Sequence, residues 1–566
     1  MSQTNLVYNV EDKPSWGKTM VFALQQLLAI LAATIAVPQI VGHEMSQAAA
    51  LFGAGAGTLI YLLFTKFKSP VFLGSSFAFL GSMFAAFAGG ISASKGAVGL
   101  VIGAILAGLV YVIISVVVKF AGTKWIDKIM PAVVIGPTVA IIGLSLAGNA
   151  VASMLTGATH VIDADNNYYV MNWGGLASLI CGGVALLATI LFSVYGKKIF
   201  KMIPFIFGIL AGYLCALIFT GIGHLAGKPG MELINFEIFK DMKPLPDFTF
   251  IKAIKGFGEF ENAGDFFSYL GTIAVAYVPV AFVVFAEHLA DHKNLSSIIN
   301  RDLLKEPGLN RTLLGDGVGS MVGAFFGGCP NTTYGESIGT VAISGNASIR
   351  TIFVTACMAI VLSFIAPFST FLATIPSAVM GGVCVALYGF IAVSGLKMIK
   401  EVDLGDNKNL FVVATILILG VGSMQLMFGK ITLTKIAVAL IAGIVINLLV
   451  RSLPFGKKEE APAAEPAAEP APQPEEAPAA EEAPVEEPVE EPAEDNSEEA
   501  PAEENPEESS DEQPAEDQPE EAPAEKPAPE AEEQPAEEPA PAEEKPAPKQ
   551  NNNHGGKKGK NKRKHR

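Results

Sequence analysis

Histidine and cysteine are scarce in this chain, whose 566 residues include seven His and five Cys. The cysteines fall within or at the edges of apolar runs and show no paired short spacing, which argues against a disulfide framework or a zinc site built from them. His288 and His292 lie four residues apart, but no further His or Cys at ligand spacing accompanies them. We therefore expect no metal site. The five cysteines are Cys181, Cys215, Cys329, Cys357 and Cys384.

Motifs of catalysis are missing as well. An enzyme that acts inside a membrane needs a nucleophile beside a base, or a metal motif, and neither is visible in the apolar part of the chain. We therefore expect neither an enzyme nor a cofactor.

Aromatic and branched apolar residues are nearly absent from residues 456–566. This segment repeats Pro, Ala and Glu, and it contains 34 Asp and Glu against 12 Lys and Arg. A segment that cannot bury apolar surface does not offset its conformational entropy, so we expect a disordered tail. Its basic tip, KKGKNKRKHR, is either a solvated end or a docking segment for anionic lipid or nucleic acid.

Charged residues are also nearly absent from long stretches of residues 1–455. Apolar runs of roughly 17 to 25 residues, each long enough to cross about 30 Å of hydrocarbon, recur there between short polar gaps. The pattern predicts an all-α polytopic membrane protein with about fourteen transmembrane segments. The first run is too long for a signal peptide and no small-residue cleavage site follows it, so we expect it to be a permanent anchor. The predicted spans are 18–41, 46–65, 70–90, 95–118, 129–149, 174–195, 203–223, 267–292, 312–327, 331–348, 351–374, 379–396, 409–428 and 433–451.

Positive charge is unevenly shared between the two sides of the predicted membrane domain. With Met1 inside, nineteen Lys and Arg fall in the inner segments, whereas the short outer loops hold three, Lys95, Lys430 and Lys435. Cytoplasmic loops of membrane proteins carry the excess of positive charge. We therefore expect a multi-pass protein of the cell membrane whose two termini, and hence the tail, are cytoplasmic.

The long outer segment 224–266 divides the predicted spans into seven and seven. Because each half crosses an odd number of times, a repeated unit enters the membrane the opposite way the second time, which gives an inverted repeat. The third span of each half contains a helix-breaking stretch, PVFLGSSFAF at 70–79 and GCPNTTYGES at 328–337. Backbone groups freed at membrane depth need protein or a wet cavity to satisfy them. We expect two broken helices that meet at a substrate site; the alternative is that both stretches are loop ends that cap ordinary helices.

Acidic residues inside the spans are candidates for function, because charge at the bilayer centre is costly. Glu336 follows the second break, where the N-terminus of a half-helix favours an anion. Glu287 and Asp291, four residues apart, share one helix face in the eighth span. Glu287 has a mid-helix position without such support, which makes it the better candidate for a coupling proton. An alternative interpretation places Asp291 and His292 at the wet cytoplasmic end of that span.

These motifs resemble the nucleobase:cation symporter-2 or nucleobase–ascorbate transporter family, and within it the bacterial uracil permeases. The resemblance covers essentially all of residues 1–455 and does not extend to the tail. NTTYGE after a Gly-Gly-x-Pro turn is specific for the uracil branch. The matching stretches are DKP (12–14), LQQLLAILAATIAVP (24–38), LGSSFAF (73–79), AEHLADH (286–292), KEPGLNRTLLGDG (305–317), GGCPNTTYGESIG (327–339) and MGGVCVALYG (380–389).

The resemblance implies a core domain of spans 1–4 and 8–11 and a gate domain of spans 5–7 and 12–14. The substrate would lie between short antiparallel strands in the third and tenth spans. We expect uracil, protons and the lipid bilayer as partners, leave a homodimer open, and expect no nucleic acid at the membrane domain. The implied site residues are Glu287 and Glu336 as substrate-binding carboxylates, Phe77 and Gly335 as backbone contacts, and Tyr334 and Tyr388 as flanking residues. For proton coupling we expect Glu287, from its position in the helix, together with Asp291.

Three positions depart from the family's pattern. Ser337 stands where Asn usually follows the second Glu, Ser344 where Thr is usual, and Asp291 where uracil permeases often have His. The first two bear on packing behind Glu336, and the third bears on proton transfer.

The expected function is import of uracil by proton symport through alternating access. One alternative is a xanthine or urate carrier of the same family, although its expected Gln-Asn-type motif is absent where NTTYGES stands. Another is an anion carrier on a similar fold, which would need positive charge where Glu336 stands.

Overall fold

The computed structural model describes residues 6–162, 167–197, 199–428 and 431–452. The prediction of a disordered tail over residues 456–566 lies outside this part of the chain. The described helices are α1 (Trp16–Val41), α2 (Gln47–Phe64), α3 (Leu80–Ala86), α4 (Ala93–Ala121), α5 (Lys124–Ile129), α6 (Ala132–Ser145), α7 (Ala147–Met154), α8 (Trp173–Tyr195), α9 (Ile199–Met202), α10 (Pro204–Ala226), α11 (Thr249–Phe257), α12 (Ala263–Ile299), α13 (Leu309–Gly327), α14 (Gly335–Ser344), α15 (Ile349–Ser363), α16 (Ala366–Ala373), α17 (Ser377–Lys400), α18 (Asn407–Val421) and α19 (Lys435–Ser452).

Six short strands form three separate two-stranded sheets within the same residues. β1 pairs with β4, β2 with β3, and β5 with β6. The strands are β1 (Leu73–Ser75), β2 (Thr159–Ile162), β3 (Asn167–Val170), β4 (Asn331–Thr333), β5 (Leu426–Phe428) and β6 (Ile431–Leu433).

The protein is a mostly helical, polytopic membrane protein. Among the described helices, nine are long and apolar enough to cross a membrane, and α15 with α16, bent by 83° at their junction, could form a tenth span. A helix satisfies all its backbone groups internally, which is why uncharged runs of this length adopt it. Two other predicted spans are broken: 70–90 contains β1 and α3, and 331–348 contains β4 and α14. The count of about fourteen spans stays a prediction.

Helix α12, with 37 residues, extends well beyond its predicted span, 267–292. The side chain of Asn262 caps its start by accepting from the backbone N–H of Asp265, and the helix ends where Asn300 adopts left-handed geometry at φ 53°. His292 therefore lies inside the helix rather than at its end, and its side chain is fully buried. The interpretation of His292 as a wet helix end is wrong.

The helices pack in two groups. In the first packing group, α1–α4 and α11–α16, helix α13 contacts α2 and α4 most extensively. In the second, α6–α10 and α17–α19, helix α17 contacts α6 and α8 most extensively. Helices α1 and α12 contact members of both groups. The first packing group contains the predicted core spans and the second contains the predicted gate spans, while the roles of core and gate stay a prediction.

Glycines let α2 and α13 pack backbone against backbone inside the first packing group. A Cβ on Gly53 would lie 2.5 Å from the carbonyl oxygen of Gly323. A Cβ on Gly57 would lie 2.7 Å from the carbonyl oxygen of Gly319 and 2.5 Å from Nδ2 of Asn331. The Asn331 amide donates a hydrogen bond to the carbonyl oxygen of Gly53 at 2.9 Å. The close approach of the two helices therefore also holds β4 in place.

We expect Gly57→Ala to destabilise the folded protein by about 1–3 kcal/mol, because its methyl group would have to displace backbone and a buried amide. The measurement is the midpoint of thermal unfolding of the purified protein in detergent. Gly183→Ala in α8 is the matched control, since a Cβ there meets nothing within 4 Å and the gain in helix propensity is similar. Equal midpoints for the two variants would contradict the close packing of α2 on α13.

Candidate functional site

Strands β1 and β4 bring the two helix-breaking stretches together in the protein interior. Pro70 and Pro330 precede the strands and cannot donate to a helical ladder, so the chain leaves helical geometry at both places. The N–H of Ser76 extends the pairing by donating to the carbonyl oxygen of Pro330 at 2.9 Å. The antiparallel register pairs Leu73 with Thr333, Gly74 with Thr332, and Ser75 with Asn331.

A cavity of about 330 Å³ lies where the two packing groups face each other. From the first group it is lined by residues of β4, by residues that follow β1 and β4, and by residues of α1 and α12. From the second group it is lined by residues of α6, α8, α9, α10 and α17. The cavity is lined by six of the seven site residues expected from the sequence: Phe77, Glu287, Asp291, Tyr334, Gly335 and Glu336.

Tyr388, the seventh implied residue, does not line this cavity. It is buried on α17, and its ring packs edge-on against Phe77, with 5.6 Å between ring centroids and 80° between planes. Its hydroxyl has no hydrogen-bond partner among the described residues. Tyr388 therefore supports the ring of Phe77 from the second packing group rather than facing the open space.

Three carboxylates face the cavity from two helices. Glu287 and Asp291 lie one turn apart on α12, and Glu336 lies in the first turn of α14. The hydroxyl of Thr333 donates to Oδ2 of Asp291 at 2.6 Å, which ties α12 to β4. Helix α14 begins without a side-chain cap among the described residues, and helical geometry leaves the N–H groups of its first turn without partners inside the helix. The site can thus accept hydrogen bonds at its carboxylates and donate them from backbone N–H groups.

Tyr334 joins the two broken helices to each other. Its hydroxyl donates to the carbonyl oxygen of Ser75 at 2.7 Å, and its ring lies over Gly74, where a Cβ would come within 2.3 Å of the ring. Both residues belong to β1, whereas Tyr334 precedes α14. Tyr334 therefore holds the start of α14, and with it Glu336, against the opposite strand.

Ser337, one of the three departures from the family's pattern, has a defined place behind Glu336. Its hydroxyl accepts from Nε2 of Gln26 at 2.6 Å and from the backbone N–H of Phe72 at 3.2 Å. Gln26 is buried on α1, and sequence reasoning missed it. An amide inside the apolar run LQQLLAILAATIAVP was the available signal, because a buried polar side chain needs a partner.

Sequence reasoning also missed the residues that line the cavity from the second packing group. Lys201 and Met202 on α9 and Phe205 on α10 lie there, and Lys201 is the one cation among the lining residues. Nothing in their local sequence marks them, because a Lys beside an apolar run is equally typical of an ordinary helix end.

A family model described as the permease family matches residues 17–429 of the chain. The uracil permease of Bacillus subtilis (strain 168) is 37% identical over 469 residues, which cover 82% of this chain and 99% of that protein. The uracil permease of Escherichia coli (strain K12) is 33% identical over 461 residues, covering 81% of this chain and 97% of that protein.

Solved structures of two transporters have the same fold. The transmembrane domain of the cyanobacterial bicarbonate transporter BicA aligns with a TM-score of 0.52 at 16% identity, covering 77% of this chain and 100% of that chain. The murine anion transporter Slc26a9 in its inward-facing state aligns with a TM-score of 0.50 at 14% identity, covering 78% of this chain and 69% of that chain. Both are inverted repeats of seven plus seven segments, and they confirm the predicted fold class.

We expect Tyr334→Phe to lower the free energy of unfolding by about 1–3 kcal/mol, because it leaves the buried carbonyl oxygen of Ser75 without its donor. Thermal unfolding of the purified protein in detergent is the measurement. Tyr277→Phe is the matched control, since Tyr277 is equally buried and its hydroxyl has no partner among the described residues. If both variants unfold at the wild-type temperature, the hydroxyl of Tyr334 does not hold the two broken helices together.

Proposed function

Because this chain belongs to the permease family of nucleobase:cation symporters, we propose that it is a secondary active transporter that imports uracil together with protons. It is a multi-pass membrane protein and a transporter rather than an enzyme. We place it in the cell membrane with both termini in the cytoplasm, from the distribution of Lys and Arg between its loops.

The observation that carries the proposal is the pairing of carboxylates with free backbone donors in one cavity. Uracil is neutral and planar, with two N–H donors and two carbonyl acceptors. Glu287 and Glu336 can accept from its N–H groups, while N–H groups at Phe77 and Gly335 can donate to its carbonyl oxygens. The rings of Phe77 and Tyr334 offer apolar faces to the base.

The position of the cavity supports alternating access as the transport mechanism. It lies between the two packing groups, so a movement of one group against the other would change which side of the membrane reaches it. Its lining extends to Lys201 on α9 and Met398 in the last turn of α17, beside loops that the charge distribution assigns to the cytoplasm. We therefore assign this conformation to the inward-open state.

Two other substrates remain as alternatives. A xanthine or urate carrier of the same family would use the same cavity, and the uracil permeases among the relatives favour uracil. An anion carrier has the support of the fold alone, because BicA and Slc26a9 carry anions at 16% and 14% identity. Three carboxylates and one lysine line the cavity here, an environment that repels an anion unless the carboxylates are protonated.

Competition for uptake tests the substrate. In proteoliposomes that contain the full chain, we expect excess unlabelled uracil to abolish uptake of labelled uracil, and excess xanthine or urate to leave most of it. Thymine tests the size of the pocket, since it adds one methyl group to the same hydrogen-bonding pattern. Stronger competition by xanthine or urate than by uracil would overturn the assignment.

Replacing Glu287 or Glu336 with glutamine separates the binding of uracil from the coupling to protons. Glu287 has a mid-helix position, whereas Glu336 has the positive end of the α14 dipole beside it. We expect Glu287→Gln to abolish proton-driven accumulation and to leave downhill uptake that ignores external pH. We expect Glu336→Gln mainly to weaken uracil binding and to leave residual uptake dependent on protons.

The measurements are uptake against external pH, uptake with an uncoupler, and equilibrium binding of uracil. Glu401→Gln is the control, because Glu401 is exposed just after α17 and outside the cavity. If Glu287→Gln still concentrates uracil and Glu336→Gln loses its proton dependence, the two roles are reversed.

A further inference from the structure

A buried His–Asp pair lies beside the substrate cavity, outside the residues that line it. His288, next in sequence to Glu287, and Asp316 on α13 are 0% and 1% exposed. Nδ1 of His288 and Oδ2 of Asp316 lie 2.7 Å apart. Nε2 of His288 lies 3.0 Å from the hydroxyl oxygen of Thr312, and that oxygen lies 3.0 Å from the carbonyl oxygen of Leu309. The three side chains form one hydrogen-bonded chain.

This chain keeps its hydrogen bonds in two protonation states. In the first, Asp316 is ionised, the Nδ1–H of His288 donates to it, and the hydroxyl of Thr312 donates to Nε2. In the second, the protonated carboxyl of Asp316 donates to Nδ1, Nε2–H donates to Thr312, and Thr312 donates to the carbonyl oxygen of Leu309. The imidazole is neutral in both, and the second state holds one proton more. Asp316 can therefore gain a proton without leaving any of these hydrogen-bond donors unpaired.

The other oxygen of Asp316 faces a second, small cavity. Oδ1 of Asp316 and the hydroxyl of Tyr111 are both buried, and neither has a hydrogen-bond partner among the described residues. Both residues line a space of about 10 Å³, and Ser320 and Asn331 line the same space. A space of roughly this size with several polar neighbours is enough for one water molecule. Thr332 of β4 lines this space and the substrate cavity, so a single strand separates the two.

We propose that Asp316, paired with His288, is a second proton-binding group of the transport cycle, in series with the carboxylates of the substrate cavity. The inference rests on the proposed proton symport. One proton enters from the outer side through the cavity carboxylates and forms an O–H bond on Asp316. The same proton leaves on the cytoplasmic side after the cavity has opened there, so that the net reaction moves one proton with each uracil and changes no other bond.

The titratable groups around the pair come from three helices. Glu287, Asp291 and His292 share α12 with His288, and the rings of His288 and His292 stack at 4.0 Å between centroids. Tyr61 of α2 reaches Nε2 of His292 with its hydroxyl at 2.7 Å, and Tyr111 of α4 meets the His288 ring edge-on at 6.2 Å. Glu287 and Asp291 lie within one helix turn of His288 along α12, so a proton on Asp316 lowers the negative charge that these two carboxylates have to face.

The decisive variant is Asp316→Asn, whose amide can still accept from the Nδ1–H of His288 but cannot change its protonation. In proteoliposomes with an inward proton gradient, we expect the accumulation ratio of uracil to fall to about one, because only the gradient of uracil itself then drives uptake. Exchange of internal for external uracil should continue, and uracil binding should stay within about threefold of wild type because the hydrogen bond to His288 remains.

The outcomes distinguish a proton-binding role of Asp316 from a role in positioning the site. Retained proton-driven accumulation in Asp316→Asn overturns the proposal. Loss of uracil binding in a correctly folded Asp316→Asn protein also overturns it, since Asp316 would then only position the site. If wild-type uptake itself ignores the proton gradient, the proposed symport fails and the role of Asp316 fails with it.

Tyr111→Phe provides a second test that does not alter the His–Asp pair. Through one water, the Tyr111 hydroxyl can donate to ionised Asp316, and its removal should let Asp316 hold its proton to higher pH. We expect the midpoint of the pH profile of uptake to rise by roughly half a unit to one unit, the equivalent of one hydrogen bond. Tyr277→Phe, which also removes a buried unpartnered hydroxyl but lies outside the small cavity, should leave the midpoint unchanged. An unchanged midpoint in Tyr111→Phe would count against the proposal even if Asp316→Asn fails to fold.

Discussion

The antiparallel pairing of β1 with β4 is the constraint on which the rest of this structure depends. Each strand interrupts a segment that would otherwise cross the membrane as a helix, and each frees backbone groups that hydrocarbon cannot satisfy. Three residues of one strand pair with three of the other, so each interruption supplies backbone partners to the other. The pairing brings residues 70–79 and 328–337 together, although more than half of the membrane domain separates them in sequence.

The first packing group is arranged around that pair of strands. Thr58 of α2 contacts β1 through its hydroxyl, which accepts from the N–H of Leu73 at 2.9 Å, and Asn331 of β4 reaches back to α2. The glycines of α2 and α13 provide the space that these contacts need, because any Cβ at Gly57 would occupy it. Small residues between helices are the usual way to bring backbones close in a membrane, where apolar burial gives little drive for association.

Hydropathy predicted much of the fold and part of the site, for a physical reason. Exclusion of charge from hydrocarbon acts on each segment separately, so the spans and the cost of Glu287 inside one of them can be read from local sequence. Contacts between distant helices depend on packing, which is why Lys201 and Gln26 were missed and why the contact of Tyr388 with Phe77 could not be read from the sequence. The pairing of His288 with Asp316 was missed for the same reason, because it exists only where α12 and α13 meet, although Asp316 lies inside the predicted span 312–327.

The same fold carries anions in BicA and Slc26a9, so the fold alone does not decide what this protein transports. Free N–H groups at the start of a half-helix attract negative charge in any member of the fold. In this chain the carboxyl group of Glu336 already lies in the first turn of α14, and Glu287 faces the same cavity from α12. A neutral solute with its own N–H donors can use both carboxylates and the free backbone donors at once, whereas an anion would compete with the carboxylates for those donors. Acidic side chains on the protein therefore also put titratable groups in the cavity, which is the arrangement that the proposed coupling to protons requires.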